Sequence, residues 1–355
     1  MSERPFFSIV IPYYNGSKTI ENLLVSIGLQ KMGKDIEVII SDDCSSDPPE
    51  ILDNIVKKFE NKLVIKRTKT PYNFGPGLAR ECGAQIATGV WLAFADQDDE
   101  YIYGTLKEVK KEILECKEDL YVICNFYNKV RETGEVIYDF AGTLNWNHAK
   151  FYNLDNLWKK HNFHFSPTLK SHEDIFISSN INCTLHKLNR EPHFSPIYIY
   201  NWYDVGTSLS HTDTPDEEGR LHSYFEWNFD DYVHSTFWVY IDKYKNGEID
   251  KKFLNRNIME VAAYSYFSIS AFEFANGGHN LKKNYDCMRE QLKALKEYGG
   301  VDYHDIYDWV KDNSCLMFRS IKDAAQIAAD FYIPRKSFLD WFEAVENNTI
   351  DLEGI

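Results

Sequence analysis

The first hundred residues alternate continuous apolar runs with segments whose apolar residues recur at helical spacing. The apolar runs cover 6–14, 35–43, 62–68 and 90–96, and the helical segments cover 17–32, 47–60 and 74–88. Apolar runs joined by amphipathic helices are typical of parallel strands whose two faces are both covered. The pattern therefore predicts an α/β fold that opens with a βαβαβαβ nucleotide-binding half. Ser17 and Asp47 are the predicted N-caps of its first two helices.

The ends of these predicted strands carry polar and acidic side chains. They fall at 12–15, 41–43 and 96–99. In open parallel sheets, ligands bind outside the carboxyl ends of the strands. Because those ends meet at one edge, the sequence predicts a single ligand site there.

Composition restricts the class of protein. The chain has 355 residues, 44% of them hydrophobic, and no run approaches the roughly 18–20 apolar residues of a membrane span. The N-terminal residues lack the pattern of a signal peptide, so a cytoplasmic protein is expected. Seven cysteines without a C-x-x-C pair argue against a disulfide framework and a structural zinc site.

The net charge of −15 is spread evenly. Residues 1–220 carry 24 basic and 32 acidic side chains, and residues 221–355 carry 15 and 22. An even acidic excess argues against a broad nucleic-acid-binding face and leaves only a local basic groove possible. Helical patterns dominate after 220, which predicts a mostly helical C-terminal domain over 221–355. We expect this domain to recognise an acceptor or to form a homo-oligomer.

The stretch "FADQDD" follows the fourth predicted strand. In an extended segment Asp96 and Asp98 project to the same side, which suits a hard divalent cation such as Mn²⁺ or Mg²⁺. By the same alternation Asp99 points elsewhere and caps the next helix. A solvated acidic turn is the alternative, and the position after a nucleotide-binding strand favours the metal.

Two further motifs lie at the same predicted edge. Asp42 and Asp43 close the second strand, where a carboxylate holds a ribose hydroxyl or a base, although Asp and Ser also favour turns. In "NFGPGLAREC", glycines permit close approach of the backbone to a phosphate, and Arg80 follows. No G-x-G-x-x-G follows the first strand, which argues against a dehydrogenase.

Two observations concern the middle of the chain. Glu173 and Asp174 precede a predicted helix, where they fit either a general base or acids favoured by the helix dipole. Four tryptophans are candidates for stacking on sugar rings or for the core: Trp146, Trp158, Trp202 and Trp227.

In this order and with these gaps, "FSIVIPYYN", "IEVIISDDCSSD", "NFGPGLARECG", "FADQDD" and "HEDIF" resemble the inverting family 2 glycosyltransferases. The resemblance covers about 6–210. It implies a GT-A nucleotide-binding sandwich with a mostly parallel sheet, a catalytic domain over 1–220 and a UDP-sugar donor. The acceptor it implies is a hydroxyl on a glycan, wall polymer, glycoprotein or modified nucleic acid.

The resemblance also implies individual roles. It makes Asp174 the catalytic base, with Glu173 beside it to orient the acceptor. It assigns the metal to Asp98, with His211 as a further candidate ligand. The donor would contact residues on several elements: Pro12, Tyr13, Asn15, Asp42 or Asp43, Arg80 and Asp96.

The sequence departs from the family at two positions. Cys44 stands where glycine is usual, so the turn after Asp43 either avoids a positive φ or tolerates it at a cost. Glu81 stands where asparagine is common, and it either pairs with Arg80 or points away. Two rival functions stay open: a nucleotidyltransferase, and a non-catalytic protein that binds a sugar or a partner.

Overall fold

The computed structural model describes residues 4–116, 120–142, 146–169, 171–203, 214–215, 221–222, 228–276, 281–317 and 335–349. The chain divides into two compact units. The first comprises Met1–Ile181 with Asn189–Val205, and the second comprises Asn182–Leu188 with Gly206–Ile355.

The first unit is built on one sheet of nine strands among the described residues. The strands are β1 Phe7–Tyr13, β2 Ile36–Asp42, β3 Val64–Lys69, β4 Trp91–Phe94, β5 Glu100–Tyr101, β6 Tyr121–Lys129, β7 Val136–Phe140, β8 Lys150–Asn153 and β9 His193–Tyr203. The helices are α1 Ile20–Gly28, α2 Pro49–Lys57, α3 Pro76–Gln85, α4 Thr105–Glu115 and α5 Glu173–Lys187, the last of which runs into the second unit.

The strand order is β3-β2-β1-β4-β8-β6-β9-β5, and β7 pairs with β6. Strand β1 is parallel to both β2 and β4, and β2 is parallel to β3. The predicted βαβαβαβ half is therefore confirmed. Strand β8 is antiparallel to β4 and β6, whereas β6 and β9 are parallel. The hairpin of β6 and β7 is antiparallel.

The sheet is buried because its central strands are continuously apolar. All seven residues of β1 are buried, and so are all four of β4. Helices α1 and α4 pack their apolar residues on the sheet through Ile20, Leu23, Leu106 and Val109. This rigid layer fixes the ends of β1, β2 and β4 relative to one another.

The two predicted N-caps are wrong. Helix α1 begins at Ile20, because the carbonyl of Gly16 accepts the N–H groups of Thr19 and Ile20 and holds Ser17 in a preceding turn. Helix α2 begins at Pro49, because the N–H of Asp47 is held by the side chain of Asn15. The proline at the start of α2 is as predicted.

The described part of the second unit is mostly helical. Its helices are α6 Phe229–Val233, α7 Val239–Lys245, α8 Lys251–Asn276, α9 Leu281–Ala294, α10 Tyr303–Met317 and α11 Arg335–Asn347, with the short strands β10 Thr214–Pro215 and β11 Leu221–His222. Its core includes Phe237, Ile258, Met288 and Phe342. Within the described ranges, no helix has the length and hydropathy to cross a bilayer.

Candidate active site

The acidic stretch after β4 is a turn and not an extended segment. Strand β4 ends at Phe94, and the N–H of Asp99 donates to the carbonyl of Asp96 at 3.1 Å. The extended geometry assumed for Asp96 and Asp98 is therefore wrong, and so is the prediction that Asp99 points elsewhere. The turn folds Asp99 inward, where its carboxylate is buried and accepts the N–H of Tyr203 at 2.9 Å.

Gln97 anchors this turn to the end of β1. Its amide oxygen accepts the N–H of Tyr14 at 3.0 Å, and its amide nitrogen donates to the carbonyl of Tyr14 at 3.1 Å. A Cβ at Gly16 would lie 2.0 Å from that amide oxygen, so only glycine admits the contact. Gln97 was not predicted as a site residue, although its place inside the acidic motif indicates that it lies near the site.

Arg80 joins the acidic turn to helix α5. Its guanidinium donates to Asp96 at 2.5 Å and to Glu173 at 2.5 Å, and its side chain is only 7% exposed. Burial alone would raise the pKa of Asp96, but the charge of Arg80 lowers it below its usual value. The pKa of Glu173 is raised, because burial outweighs the effect of Arg80. Residues distant in sequence thus meet at one buried cation.

Asp174 lies beside this pair, in the first turn of α5. Its carboxylate accepts the N–H of Ile175 at 2.8 Å. Burial raises its pKa, and the positive charges of Arg80 and Lys150 oppose the rise. We call Arg80, Asp96, Glu173 and Asp174 the Arg80 cluster. A carboxylate whose pKa is raised towards the working pH suits a general base.

Two buried residues, His148 and Lys150, approach these carboxylates. His148 precedes β8 and Lys150 is the first residue of β8, and neither was predicted as a site residue. Lys150 is buried, and its ammonium donates to the carbonyl of Trp146. Burial lowers the pKa of Lys150 to about 7, and Asp174 opposes the shift. Burial also lowers the pKa of His148 to about 3, so its imidazole is neutral. The only signal for both was a basic pair inside an aromatic stretch.

His148 shares a possible metal site with the acidic turn. One ligand atom each from Asp96, Asp99 and His148 lies within 4.8 Å of the others. Nε2 of His148 is buried and has no hydrogen-bond partner among the described residues. Two carboxylates and an imidazole form a donor set that fits Mn²⁺ better than Mg²⁺.

The carboxylate of Asp98 is not part of the group formed by Asp96, Asp99 and His148. Its backbone carbonyl accepts a hydrogen bond from Arg131, which also pairs with Glu100 at 3.1 Å. Burial and the negative charge of Asp96 raise the pKa of the Asp98 carboxyl to about 6. His211, its predicted companion, lies outside the described residues.

The ends of β1 and β2 form a second group. The carboxylate of Asp42 accepts the N–H of Ser45 at 2.8 Å and pairs with Lys69 at 3.0 Å. Burial would raise the pKa of Asp42, but these hydrogen bonds lower it. The side-chain oxygen of Asn15 accepts the N–H groups of Ser46 and Asp47 at 2.9 and 3.0 Å.

Asp43 has a structural task in the same group. Its buried carboxylate accepts the N–H groups of Phe74 and Gly75 at 3.0 and 2.7 Å, and the hydroxyl of Thr70 at 2.9 Å. It therefore fixes the entry to α3, and Asp42 is the more accessible of the two candidates for a nucleotide. Cys44 adopts φ +59°, so the turn tolerates a left-handed residue without glycine.

The remaining predicted residues are placed as follows. Pro12 and Tyr13 are buried in β1, and burial raises the pKa of Tyr13 to about 12. Glu81 points away from Arg80, because its carboxylate accepts the N–H of Phe165 at 3.1 Å. Trp158 is in the core, Trp146 and Trp202 are partly exposed, and Trp227 lies outside the described residues.

The model of the family described as glycosyl transferase family 2 matches residues 8–174. The chain carries a family 2 glycosyltransferase domain. Every residue of the Arg80 cluster lies inside that match, which ends at Asp174 itself.

Two curated proteins are similar to this chain over part of its length. Poly(ribitol-phosphate) beta-N-acetylglucosaminyltransferase TarS of Staphylococcus aureus is 37% identical over 119 residues, which are 33% of this chain and 20% of TarS. Poly(ribitol-phosphate) beta-glucosyltransferase of Bacillus spizizenii is 44% identical over 94 residues, which are 26% of this chain and 14% of that protein. The alignments thus span a fifth or less of either relative.

The fold is shared over a longer range. The crystal structure of S. aureus TarS 1–349 in complex with UDP-GlcNAc has a TM-score of 0.65 and 20% sequence identity, and it covers 96% of this chain and 90% of that chain. The likeness confirms the predicted GT-A sandwich with a mostly parallel sheet and a helical C-terminal region.

Proposed function

We propose that this glycosyltransferase moves a sugar, with inversion at the anomeric carbon, from a UDP-sugar to a hydroxyl of a glycan or wall polymer. The two relatives are poly(ribitol-phosphate) glycosyltransferases, which supports a ribitol-phosphate polymer as one acceptor, and the UDP-GlcNAc complex of TarS supports a UDP-linked donor. The observation that carries the proposal is the Arg80 cluster, in which Glu173 and Asp174 meet Asp96 at the carboxyl edge of the sheet.

In the proposed reaction Asp174 removes the proton from the acceptor hydroxyl. The hydroxyl oxygen then bonds to the anomeric carbon of the donor, whose bond to the phosphate oxygen breaks. The electron pair of that bond leaves with UDP. Glu173, held by Arg80, orients the acceptor, and Asp96 contacts the donor sugar or ribose. Asn15 and Asp42 hold the nucleotide at the ends of β1 and β2.

A divalent cation, Mn²⁺ or Mg²⁺, would neutralise the charge that develops on the departing diphosphate. The family resemblance favours Asp98 and His211 as its ligands. The structure offers a second set, Asp96, Asp99 and His148, whose atoms lie within 4.8 Å of one another. The two sets predict different losses when Asp98 or Asp99 is replaced.

The proposal is tested by replacing Asp174 with asparagine. Loss of base catalysis should lower the turnover of UDP-GlcNAc or UDP-glucose by about 10²–10⁴-fold, while the affinity for UDP, measured by calorimetry, stays near the wild-type value. Asp53→Asn is the matched control, because Asp53 is exposed and pairs only with Arg67 in the described contacts. Near-normal transfer by the Asp174→Asn protein would remove Asp174 from the role of base.

The same calorimetric titration, repeated with Mn²⁺ present and absent, separates the two metal sets. Asp98→Asn should abolish the effect of Mn²⁺ on UDP binding if Asp98 is the ligand, and Asp99→Asn should do so if the structural set holds the ion. A wild-type protein that releases no UDP from any nucleotide sugar would favour the non-catalytic alternative. Release of pyrophosphate from UTP and a sugar phosphate would favour the nucleotidyltransferase.

A further inference from the structure

Strand β4, which precedes Asp96, divides the carboxyl edge of the sheet into two sides. Strands β1, β2 and β3 lie on one side, and β8, β6 and β9 lie on the other. Asp42 and Asn15, the proposed nucleotide contacts, are on the first side. Whatever binds opposite the nucleotide must therefore meet residues from β8, β6 and β9.

Two partly exposed tryptophans lie on that second side. The rings of Trp146 and Trp202 are 6.1 Å apart at 37°, and both pack against Phe140. Both also lie beside the ring of His148, at 6.3 and 6.1 Å. Since a ring nitrogen of His148 lies within 4.8 Å of carboxylate oxygens of Asp96 and Asp99, the tryptophan pair is linked to these carboxylates through the imidazole of His148.

Asn147 adds polar groups that have no partner in the described part of the chain. Its side chain is buried, with 4% of the residue exposed, and neither its amide nitrogen nor its oxygen has a hydrogen-bond partner among the described residues. A buried amide without partners is costly, so native proteins keep one only where something else satisfies it. One free donor and one free acceptor on the same group match a pair of neighbouring hydroxyls.

We propose that Trp146, Asn147 and Trp202 form a subsite for a polyhydroxy acceptor, either a sugar ring or a polyol chain. This inference rests on the proposed function. The apolar C–H groups of such a molecule pack on indole faces, and its hydroxyls bond to the amide. Lys150, three residues after Asn147, is an electrostatic neighbour of Asp174. The segment that carries Trp146 and Asn147 therefore leads into a residue whose charge acts on the proposed base.

The test measures acceptor binding separately from donor chemistry. Ribitol-phosphate oligomers and chitotetraose serve as probes, and each is titrated against the full chain by calorimetry and used as acceptor in transfer assays. Trp202→Leu removes the indole, and Asn147→Leu keeps the volume while it removes the amide. Trp158→Phe is the matched control, because Trp158 is a core residue of the same unit.

Each of the two subsite variants should weaken binding of one probe, and raise its KM, by about tenfold or more. Trp158→Phe should leave the affinity for the probe unchanged. The affinity for UDP should stay near the wild-type value in both subsite variants. Preference for ribitol-phosphate or chitotetraose identifies the polyol or the sugar as the ligand. Circular dichroism shows that the variants are folded.

Wild-type affinity for the probes in both subsite variants would overturn the proposal, and so would a wild-type protein that binds neither probe. A wild-type protein that binds a probe but releases no UDP would refute the proposed function, while the loss of binding in the variants would still support the subsite. The two failures are therefore distinguishable.

Discussion

The two sides of the sheet edge differ in how their polar groups are satisfied. On the side of β1, β2 and β3, Asn15, Asp42 and Asp43 each accept hydrogen bonds from neighbouring backbone N–H groups. On the side of β8, β6 and β9, the amide of Asn147 and Nε2 of His148 have no partner among the described residues. The difference holds for these groups and not for every polar atom of each side, because Tyr13, Ser41 and Asp47 on the first side also have a buried side-chain oxygen without a partner among the described residues.

Arg80 stands between the two sides, and its loss should have the largest effect. Arg80→Met removes the buried cation that joins Asp96 and Glu173, and it leaves the partly exposed carboxylate of Asp96 and the largely buried carboxylate of Glu173 without their partner. Breaking a buried ion pair costs about 3–5 kcal/mol, and turnover should fall by at least about a hundredfold. Turnover and the midpoint of thermal unfolding measure the two effects.

Arg67→Met is the control for Arg80, because Arg67 is 38% exposed and pairs with an exposed aspartate. It should change stability by less than about 1 kcal/mol. Equal effects of the two substitutions would show that the Arg80 cluster does not hold the edge together.

Glu37 tests how firmly β1 and β2 are held at their amino ends, the edge of the sheet opposite to Asp42. Its buried carboxylate accepts hydrogen bonds from Ser8 and Thr88 and pairs with Lys66 at 2.7 Å. Glu37→Gln should lower the free energy of unfolding by about 2–3 kcal/mol. The exposed Glu21, which pairs with Lys58, is the control and should lose less than about 1 kcal/mol on conversion to glutamine.

The pH dependence of this contribution has a definite sign. Burial would raise the pKa of Glu37, but its hydrogen bonds lower it below the ordinary value of 4.5. Its stabilisation is therefore complete above that value and is lost as the pH falls through the lower folded pKa. A difference between wild type and Glu37→Gln that persisted unchanged below pH 3 would contradict this assignment.

The smallest effect compares the two asparagines directly. Asn15→Ala removes an acceptor of two backbone N–H groups and should lower the free energy of unfolding by about 1 kcal/mol. Asn147→Leu removes an amide without partners and should leave stability unchanged or raise it. Thermal melts without ligand measure both, and a larger loss at Asn147 would show that its amide is already satisfied.

The sequence predicted the first half of the sheet well, because each of its strands and helices is specified by residues that are adjacent in the chain. Each strand and its following helix is one apolar run and one amphipathic segment, so periodicity found all of them. The family motifs likewise pointed to Arg80, Asp96, Glu173 and Asp174, which the structure brings together. Helix starts were less predictable, because a local turn closed by the carbonyl of Gly16 and a tertiary hydrogen bond accepted by the side chain of Asn15 displaced the expected N-caps.

The acidic turn and the second side could not be predicted in the same way. Alternation of Asp96 and Asp98 requires an extended chain. The hydrogen bond from the N–H of Asp99 to the carbonyl of Asp96 folds the chain into a turn instead. Residues 146–150 have no period, and Trp146 and Ala149 adopt positive φ. No local pattern reports that these residues lie beside a turn some fifty residues earlier in the chain.

The sequence by itself determined the alternating α/β core and the residue types gathered at its edge, because both follow from local patterns of apolar and acidic residues. Only the tertiary structure decided which of those residues meet. Arg80 contacts Asp96 and Glu173 because α3, β4 and α5 converge there, and His148 lies near Asp96 because β8, which follows it, pairs with β4. Contacts between distant segments depend on packing and strand order, which periodicity does not encode.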